Sequence, residues 1–195
     1  MKFCCSCGKP VALQRVAQDT RARFVCGSCG NIYYTNPRVL VGCLAYHHDR
    51  ILLCKRALEP CRGLWTIPAG FMEENESLEQ GAARETLEET GVQVDPAALA
   101  LYRVVSLPDL SQVYVVFRVQ LGSVPPMNPG PESLDVALIG EFDLPSEQWA
   151  FTNFHNPARL AELFGEIRSG FFSIHQTRLS GNINVRRDSR TYSLK

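Results

Sequence analysis

The sequence predicts an α/β protein preceded by a small cysteine-rich module. Short apolar runs separated by turn residues predict strands, and residues 78–90 have helical spacing with a boundary signal at each end. Two C-x-x-C pairs lie within the first 30 residues. Because 195 residues are enough to bury a hydrophobic core, we expect a module at 1–35, a main domain at 36–170 and a C-terminal tail at 171–195.

The composition indicates a chain without a strong overall electrostatic field. Lys+Arg and Asp+Glu both number 20, so the formal net charge is zero, which favours neither nucleic acid nor an anionic membrane as a partner. No apolar run reaches the roughly 20 residues that span a bilayer, and the first residues lack a signal-peptide pattern. We expect a soluble, cytoplasmic protein with no membrane partner and with nucleic acid as an unlikely one. Basic residues near the C-terminus predict a solvated tail: Arg178, Arg186, Arg187, Arg190 and Lys195.

Four of the eight cysteines predict a structural zinc site. Cys4 and Cys7 form one C-x-x-C pair, and Cys26 and Cys29 form the other. This spacing is typical of four thiolates around one Zn²⁺, with a redox pair or disulfides as the alternatives. So small a segment cannot fold on an apolar core alone, and we therefore expect the metal to stabilise it.

Such a ribbon can bind nucleic acid, contact a second subunit or stabilise a terminus. The stretch between the two cysteine pairs is only modestly basic, with Arg15, Arg21 and Arg23 as its arginines. We favour a structural or dimer-contact role and expect a homodimer as one arrangement. The other cysteines, including Cys5, fit neither pair, and free thiols beside a zinc site are typical of a reducing compartment.

The predicted elements follow one another along the whole chain. In the helix at 78–90, Ser77 and Gln80 form a capping box, Gly91 suits a left-handed C-cap, and the segment from Ser180 is predicted to be irregular. The buried stripe of this helix is predicted to be Leu78, Ala82, Ala83, Thr86 and Leu87. Strands are predicted at 11–13, 23–25, 39–46, 51–56, 104–107, 112–120 and 134–142, and a second helix at 157–168.

Three glutamates of the predicted helix form the most informative cluster. Glu85, Glu88 and Glu89 are related as i, i+3 and i+4, which brings their side chains to one face. Carboxylates so close repel one another unless a cation lies among them, and oxygen-rich sites suit Mg²⁺ or Mn²⁺. Such metals are suited to cleaving a diphosphate link, because they neutralise charge on phosphoryl oxygens. The alternative is a solvated acidic face, since this stretch is acidic throughout.

The residues from Gly70 to Val92 read G-x5-E-x7-R-E-U-x-E-E-x-G-U, where U is bulky and apolar, with Thr86 at the first U as the one departure. This pattern resembles the signature of the Nudix hydrolases. Over residues 1–145 the resemblance implies an α/β/α sandwich around a mixed sheet, preceded by a zinc ribbon like that of a Nudix group that includes NADH pyrophosphatases. It also implies metal-dependent hydrolysis of a nucleoside diphosphate linked to another moiety.

The resemblance implies a role for each matching position of the signature. Glu85 and Glu89 correspond to the main Mg²⁺ or Mn²⁺ ligands, and Glu88 corresponds to a further or water-bridged ligand. The carbonyl of Gly70 corresponds to a backbone ligand. Glu76 and Arg84 correspond to the pair that braces the loop before the helix.

Glu132 is the candidate for an additional carboxylate outside the signature. It precedes a strand where the zinc-ribbon NADH pyrophosphatases carry a further metal-binding glutamate, and its loop should therefore face the helix. We expect it to act as a fourth carboxylate or as the base that activates water, with Asp135 as the substitute.

The substrate is predicted from a motif that is missing. NADH pyrophosphatases carry S-Q-P-W-P-F-P-x-S after the signature, whereas here Ser111-Gln112 continues as V-Y-V-V-F. The arrangement resembles the group of plant-type ADP-ribose/FAD pyrophosphatases, which implies a small nucleotide substrate, ADP-ribose or FAD, cleaved to a nucleoside monophosphate. The alternatives are an NADH pyrophosphatase, an NAD-cap RNA hydrolase and a non-catalytic nucleotide sensor.

Several side chains are candidates for holding the nucleotide. Arginines could contact phosphate, with a surface position as the alternative: Arg56, Arg62 and Arg103. Aromatic residues could stack on adenine, with a core position as the more common alternative: Trp65, Phe71, Tyr102 and Tyr114.

Overall fold

The computed structural model describes residues 1–151, 157–179, 185–187 and 190–192. Its contacts divide the chain into two units, Met1–Pro37 and Arg38–Lys195. Among the described residues, the helices are too short or too polar to cross a membrane.

The first unit is a three-stranded antiparallel sheet of strands β1 (Val11–Arg15), β2 (Ala22–Cys26) and β3 (Ile32–Tyr33). Its side chains are largely exposed, including Leu13 at 62%. Its buried apolar residues are Cys4 and Cys26. The predicted strands at 11–13 and 23–25 are confirmed, and the sheet lacks an apolar core of its own.

The second unit is built on an eight-stranded mixed sheet with the order β10-β5-β4-β9-β8-β11, to which β6 and β7 are added beside β5 and β4. The β4–β9 and β8–β11 pairs are parallel and the other pairs are antiparallel. The strands are β4 (Arg38–His47), β5 (Arg50–Arg56), β6 (Trp65–Thr66), β7 (Ala69–Phe71), β8 (Ala100–Leu107), β9 (Gln112–Gln120), β10 (Ser133–Gly140) and β11 (His175–Arg178).

Two helices cover opposite faces of this sheet, because side chains alternate along each strand. On β4, Val41 and Cys43 belong to the core beneath helix α1 (Leu78–Thr90). Leu44 and Tyr46 belong to the core beneath helix α2 (Pro157–Ser169). The predicted α/β/α sandwich with a mixed sheet is thus confirmed. Short 3₁₀ turns occur at Pro96–Ala98, Pro108–Leu110 and Ser146–Gln148.

Helix α1 begins and ends where its sequence predicts. The Ser77 side chain accepts a hydrogen bond from Gln80 N, the Gln80 side chain bonds back to Ser77 N, and Gly91 adopts φ 71° at the C-cap. Thr86 is fully buried and donates its hydroxyl to Ala82 O, so this polar residue fits a position that is usually apolar.

The buried face of α1 differs from the predicted stripe. Leu87 is 48% exposed, whereas Glu89 is only 7% exposed. Successive helical residues are turned by about 100°, and a face centred on Ala82 and Thr86 includes position 89 but leaves position 87 at its outer flank. The prediction that Leu87 is buried was therefore wrong, and the carboxylate of Glu89 points under the helix.

The C-terminal region carries two features that the sequence did not predict. Strand β11 joins the edge of the main sheet in parallel with β8, pairing His175 with Arg103. Strands β12 (Val185–Arg187) and β13 (Arg190–Tyr192) form an antiparallel pair, so the prediction of an irregular segment was wrong for these residues. Both features are formed by backbone pairing, and no alternating apolar pattern in the sequence predicts them. Lys195, the last of the basic residues predicted to form a solvated tail, lies outside the described residues.

Glu166 of α2 ties β11 to the rest of the sheet. Its carboxylate accepts hydrogen bonds from the Tyr102 hydroxyl at 2.9 Å and from Ser173 N at 3.0 Å, and it contacts His175 Nε2 at 3.0 Å. These partners come from β8, from the turn after α2 and from β11. One side chain thus links β8, which is distant in sequence, to the turn after α2 and to β11.

We predict that Glu166→Ala lowers the free energy of unfolding by about 1–3 kcal/mol, because the buried Tyr102 hydroxyl loses its partner. Urea denaturation measures this loss as a shift of the midpoint, provided that the unfolding free energy depends equally steeply on urea concentration in both proteins. Glu162→Ala on the same helix is the matched control, since Glu162 makes only longer contacts of 3.6 and 3.8 Å. An equal loss in both variants would contradict the role given to Glu166.

Candidate active site and zinc ribbon

The four predicted zinc ligands converge on one point. The Sγ atoms of Cys4 and Cys29 are 3.5 Å apart, as are those of Cys7 and Cys26. All four lie within 4.8 Å of one another, and none is joined in a disulfide. A tetrahedral site with Zn–S bonds of about 2.3 Å needs sulfurs about 3.8 Å apart, so this donor set fits Zn²⁺.

The two cysteine pairs are held by matching turns. Gly8 N donates to Cys4 O and Gly30 N donates to Cys26 O, both at 2.9 Å. The Tyr33 hydroxyl lies 2.9 Å from Cys4 Sγ, and this hydrogen bond lowers the pKa of Cys4 to about 6. Cys5 is exposed and lies outside the cluster, as its spacing predicts.

Arg84 links helix α1 to the loop that precedes it. Its Nε and Nη2 donate to the two carboxylate oxygens of Glu76 at 3.0 and 2.9 Å, and Nη2 also donates to Phe71 O at 3.1 Å. Glu76 accepts a further bond from Glu73 N at 2.7 Å. These contacts fix the path of residues 71–76, which agrees with the bracing role that the signature implies for Glu76 and Arg84.

The strand before this loop packs directly against Glu85. A Cβ atom built on Gly70 would overlap the Glu85 carboxyl group, so a side chain at position 70 would displace that carboxyl group. Glu85 is half-buried and accepts a 2.7 Å hydrogen bond from Arg84 Nη1, which also donates to the exposed Glu88 at 3.0 Å. The structure therefore brings Gly70, Glu85 and Glu88 to the same place.

Glu89 is the most buried carboxylate of the cluster. Its Oε2 accepts a 3.0 Å hydrogen bond from Ala69 N and a 3.3 Å bond from the Cys54 thiol. Among the described residues it forms no salt bridge, unlike Glu85. The sequence marks the glutamate itself but not Ala69 or Cys54, because their contact with it depends on how β5 and β7 pass beneath the helix.

The cluster carries more negative than positive charge, with Arg84 as the cation bonded to Glu85 and Glu88. Burial raises the pKa of Glu89 to about 7, and the charge of Glu85 acts in the same direction. Burial also raises the pKa of Glu85, as do the charges of Glu88 and Glu132, although Arg84 opposes the change. A divalent cation would favour the ionised carboxylates, so this set of hard oxygen donors fits Mg²⁺ or Mn²⁺.

The loop that carries Glu132 is docked on the C-terminal end of α1. Asn128 N donates to Thr90 O at 2.9 Å, and Gly130 N donates to Glu89 O at 3.2 Å. A Cβ on Gly130 would overlap the Glu88 carbonyl oxygen, so glycine is required for this contact. The exposed Glu132 lies near enough for its charge to raise the pKa of Glu85, as the sequence predicts for its loop.

Asp135, the predicted substitute for Glu132, lies further along β10. It is exposed and pairs in register with Lys55, and its carboxylate accepts a hydrogen bond from the adjacent Val136 N at 2.8 Å. The charge of Glu132, by contrast, acts on Glu85. Glu132 is thus the better placed of the two.

A cleft lies on the sheet face that α2 covers. The space in it that a water-sized sphere can occupy is about 50 Å³. This volume is smaller than the roughly 300–1,000 Å³ of typical small-molecule sites, although mostly apolar walls are typical of such sites. Here aliphatic side chains from β4, β5, β9 and α2 form most of the lining, and aromatic and basic side chains complete it: Tyr102, Arg103, Tyr114, Trp149 and Arg159.

The aromatic candidates have different environments. Trp65 and Tyr102 are buried in the core beneath α2, at 7% and 4% exposure, and Tyr102 also reaches the cleft. Phe71 is 42% exposed beside Gly70, and Tyr114 lines the cleft. Trp149 was not singled out from the sequence, because no local pattern distinguishes a cleft tryptophan from a core one.

The arginine candidates divide between surface and interior. Arg62 is exposed, and Arg56 donates to Pro60 O at 2.8 Å in its own loop. Arg103 is only 9% exposed, so the surface position considered for it was wrong. Its burial depends on α2, which lies far away in the sequence.

Two family models match the chain. The model described as NUDIX domain matches residues 36–157, and the zinc-ribbon model described as Nudix N-terminal matches residues 2–35.

Individual relatives agree with these matches. A crystal structure of a NUDIX hydrolase from Nitrosomonas europaea is 46% identical, with a TM-score of 0.82 over 92% of this chain and 99% of that chain. A bifunctional NMN adenylyltransferase/ADP ribose pyrophosphatase from Francisella tularensis, complexed with AMP and Mn ion, is 26% identical, with a TM-score of 0.55 over 68% of this chain and 43% of that one.

A curated relative is similar over a shorter segment. The NAD-capped RNA hydrolase NudC of Photobacterium profundum is 37% identical over 92 residues, which are 47% of this chain and 33% of that protein. The chain thus matches about a third of the length of this relative.

We predict that Cys26→Ser abolishes zinc binding and the amide protection of β1–β3, because three thiolates cannot close the tetrahedral site that stabilises this unit. Elemental analysis and hydrogen exchange measure the two effects. Cys5→Ser is the matched control and should keep about one zinc per chain. Equal zinc loss in both variants, or full zinc in Cys26→Ser, would contradict the assignment.

Proposed function

Because this chain belongs to the Nudix family, we propose that it is a pyrophosphohydrolase that cleaves the diphosphate link of a nucleoside diphosphate derivative, with ADP-ribose or FAD as favoured substrate. The observation that carries the proposal is the buried Glu89, held beside Glu85 and Gly70 without a balancing charge of its own. A solvated acidic face, the alternative considered from sequence, would leave these carboxylates exposed and at ordinary pKa values.

The proposed metal ligands are Glu85, Glu88, Glu89 and the carbonyl of Gly70, with Mg²⁺ or Mn²⁺ as the cation. Bound there, a divalent cation supplies charge neutralisation for the phosphoryl oxygens of the diphosphate. The thiolates of Cys4, Cys7, Cys26 and Cys29 would hold a structural Zn²⁺ in the first unit.

The chain's own residues position the reaction. Arg84 and Glu76 keep the loop against α1, which holds Gly70 and Glu85 at a fixed separation. Glu132 is proposed to take the proton from the water that attacks phosphorus, since it is exposed and close to Glu85. Water adds across the P–O–P link, and the products are a nucleoside monophosphate and a phosphorylated remainder.

ADP-ribose and FAD are favoured over NADH because the Pro-Trp-Pro-Phe-Pro core is missing after Gln112. The Francisella tularensis relative, named as an ADP ribose pyrophosphatase and complexed with AMP and Mn ion, supports an adenylate product and Mn²⁺ as an alternative to Mg²⁺. Tyr114 of the cleft is the candidate for contact with the nucleotide.

The second candidate function is hydrolysis of NAD-capped RNA. It is favoured by the name of the Photobacterium profundum relative, so the expectation that nucleic acid is an unlikely partner has no support from that comparison. The neutral net charge of the chain weighs against strong phosphate-backbone binding. A non-catalytic sensor is disfavoured, because every glutamate of the signature is present.

Two further expectations stay predictions. The first is a homodimer with the ribbon at its contact, which analytical sedimentation tests. The second is a cytoplasmic location, which the free thiols outside the ribbon support.

We predict that Glu89→Gln removes nearly all turnover, a loss of about 10²-fold or more, since a neutral amide cannot balance a divalent cation. Steady-state hydrolysis of ADP-ribose with Mg²⁺ or Mn²⁺ measures the loss, and circular dichroism checks the fold. Glu79→Gln, the same change on the first turn of α1, should keep wild-type turnover. Near-normal turnover by Glu89→Gln would remove this residue from the site.

We predict that ADP-ribose and FAD are hydrolysed with higher kcat/KM than NADH, diadenosine tetraphosphate or nucleoside triphosphates. NAD-capped RNA is included in the same panel to test the second candidate function. Chromatography of the products identifies the bond cleaved, which should release AMP from both favoured substrates. Turnover of triphosphates alone would overturn the substrate assignment, and preferential decapping that weakens steeply with salt would favour RNA.

A further inference from the structure

An arginine is buried in the wall of the cleft with part of its donor capacity unused. Arg103 lies on β8 opposite Val116 of β9, on the face that α2 covers, and is 9% exposed. Its Nε is buried and has no hydrogen-bond partner in the described part of the chain. A buried donor left unpaired is unfavourable, so the site is arranged for an acceptor that the protein itself does not supply.

A second guanidinium faces the same cleft. Arg159 of α2 lines it together with Arg103. Burial lowers the pKa of Arg159, and the charge of Arg103 adds to the effect. Two like charges in one partly desolvated wall repel each other, and an anion bound between them would offset this repulsion.

A carboxylate of α2 lies near Arg103. Glu162 Oε2 lies 3.6 Å from Arg103 Nη2, beyond hydrogen-bond distance, and the Glu162 side chain is 49% exposed. At this distance the half-exposed Glu162 does not form a hydrogen bond with Arg103.

The cleft adjoins the glutamate cluster through Tyr114. The Tyr114 hydroxyl and the Ala69 side chain both lie over Gly42. A Cβ atom built on Gly42 would be 2.6 Å from the Tyr114 hydroxyl and 2.9 Å from the Ala69 Cβ, so Tyr114 and Ala69 are close to each other. Ala69 N in turn binds Glu89, and the charge of Glu89 acts on Tyr114. Tyr114 and Arg103 both line the cleft and lie two positions apart in the β8–β9 register, where Tyr114 is opposite Val105 and Arg103 is opposite Val116.

We propose that Arg103, together with Arg159, binds a second anionic group of the substrate, a phosphate monoester or a carboxylate, carried beyond the diphosphate that is cleaved. This inference rests on the function proposed above, because it treats the cleft as part of the same substrate site. The planar guanidinium fork suits both groups, since each can accept two parallel hydrogen bonds. Arg103 is then a specificity-determining residue rather than a contributor to the cleavage.

Substrate pairs that differ by one anion test the proposal. NADP⁺ and NAD⁺ differ by a phosphate monoester, and UDP-glucuronate and UDP-glucose differ by a carboxylate. We expect wild type to prefer the more anionic member of at least one pair. Arg103→Gln should lower kcat/KM for that member by about 10- to 100-fold, the range for a charged hydrogen bond to a buried partner, and should change the other member by less than about 3-fold.

Further variants separate binding from folding. Arg103→Lys keeps the charge but loses the fork and should give an intermediate loss. Arg159→Gln, at a less buried position, should shift the preference in the same direction, and it decides the question if Arg103→Gln fails to fold. Arg168→Gln at the exposed end of α2 is the matched control and should leave every ratio unchanged.

Binding measured without catalysis tests the anion site at Arg103 separately from the proposed hydrolase function. Titration calorimetry of the same four compounds in buffer without Mg²⁺ or Mn²⁺ reports affinity with no cleavage, and leaves the structural Zn²⁺ in place. A preference for the anionic member that Arg103→Gln removes would uphold the anion site even if no compound were hydrolysed, in which case the proposed function alone would fail. No preference in either pair by wild type, or equal loss for both members in the variants, would overturn the anion site.

Discussion

The attachment of one loop to one helix by Arg84 determines the geometry of the whole candidate site. The guanidinium group donates to both oxygens of Glu76 and to the Phe71 carbonyl, so the loop cannot move relative to α1 without breaking several charge-assisted hydrogen bonds. With the loop fixed, Gly70 lies against Glu85 and Ala69 N reaches Glu89. The carboxylates then stay close together despite their repulsion, which is the condition for a cation site.

The two units are stabilised by different physical means. The second unit buries two apolar layers on opposite faces of one sheet, and hydrophobic burial is sufficient to order it. The first unit exposes most of its strand side chains, and its ordered centre is the group of four sulfurs. Metal binding and folding are therefore coupled in the first unit, whereas in the second unit a cation would bind to a framework that already exists.

Local signals explain most of what the sequence could predict. The capping box of Ser77 and the C-cap at Gly91 lie within one or two turns of the residues they control, and the cysteine spacing is set by short turns. The burial of Arg103 and the attachment of β11 were missed because both depend on contacts with α2 or β8 across long separations in the chain. The exposure of Leu87 and the burial of Glu89 were missed for a related reason, since the orientation of a helix is set by the sheet beneath it.

The contact of Gly130 with the end of α1 divides the Glu132 loop into two parts with different freedom to change. Before Asn128 the loop runs over the surface, where residues such as Val124 are exposed, and insertions there can be absorbed without moving the residues from Asn128 onward. From Asn128 to Glu132 the backbone is bound to the helix, and any side chain at position 130 would push the segment outward. During divergence of related chains, the earlier part can therefore vary in length and composition while the spacing between Glu132 and the helix glutamates is preserved.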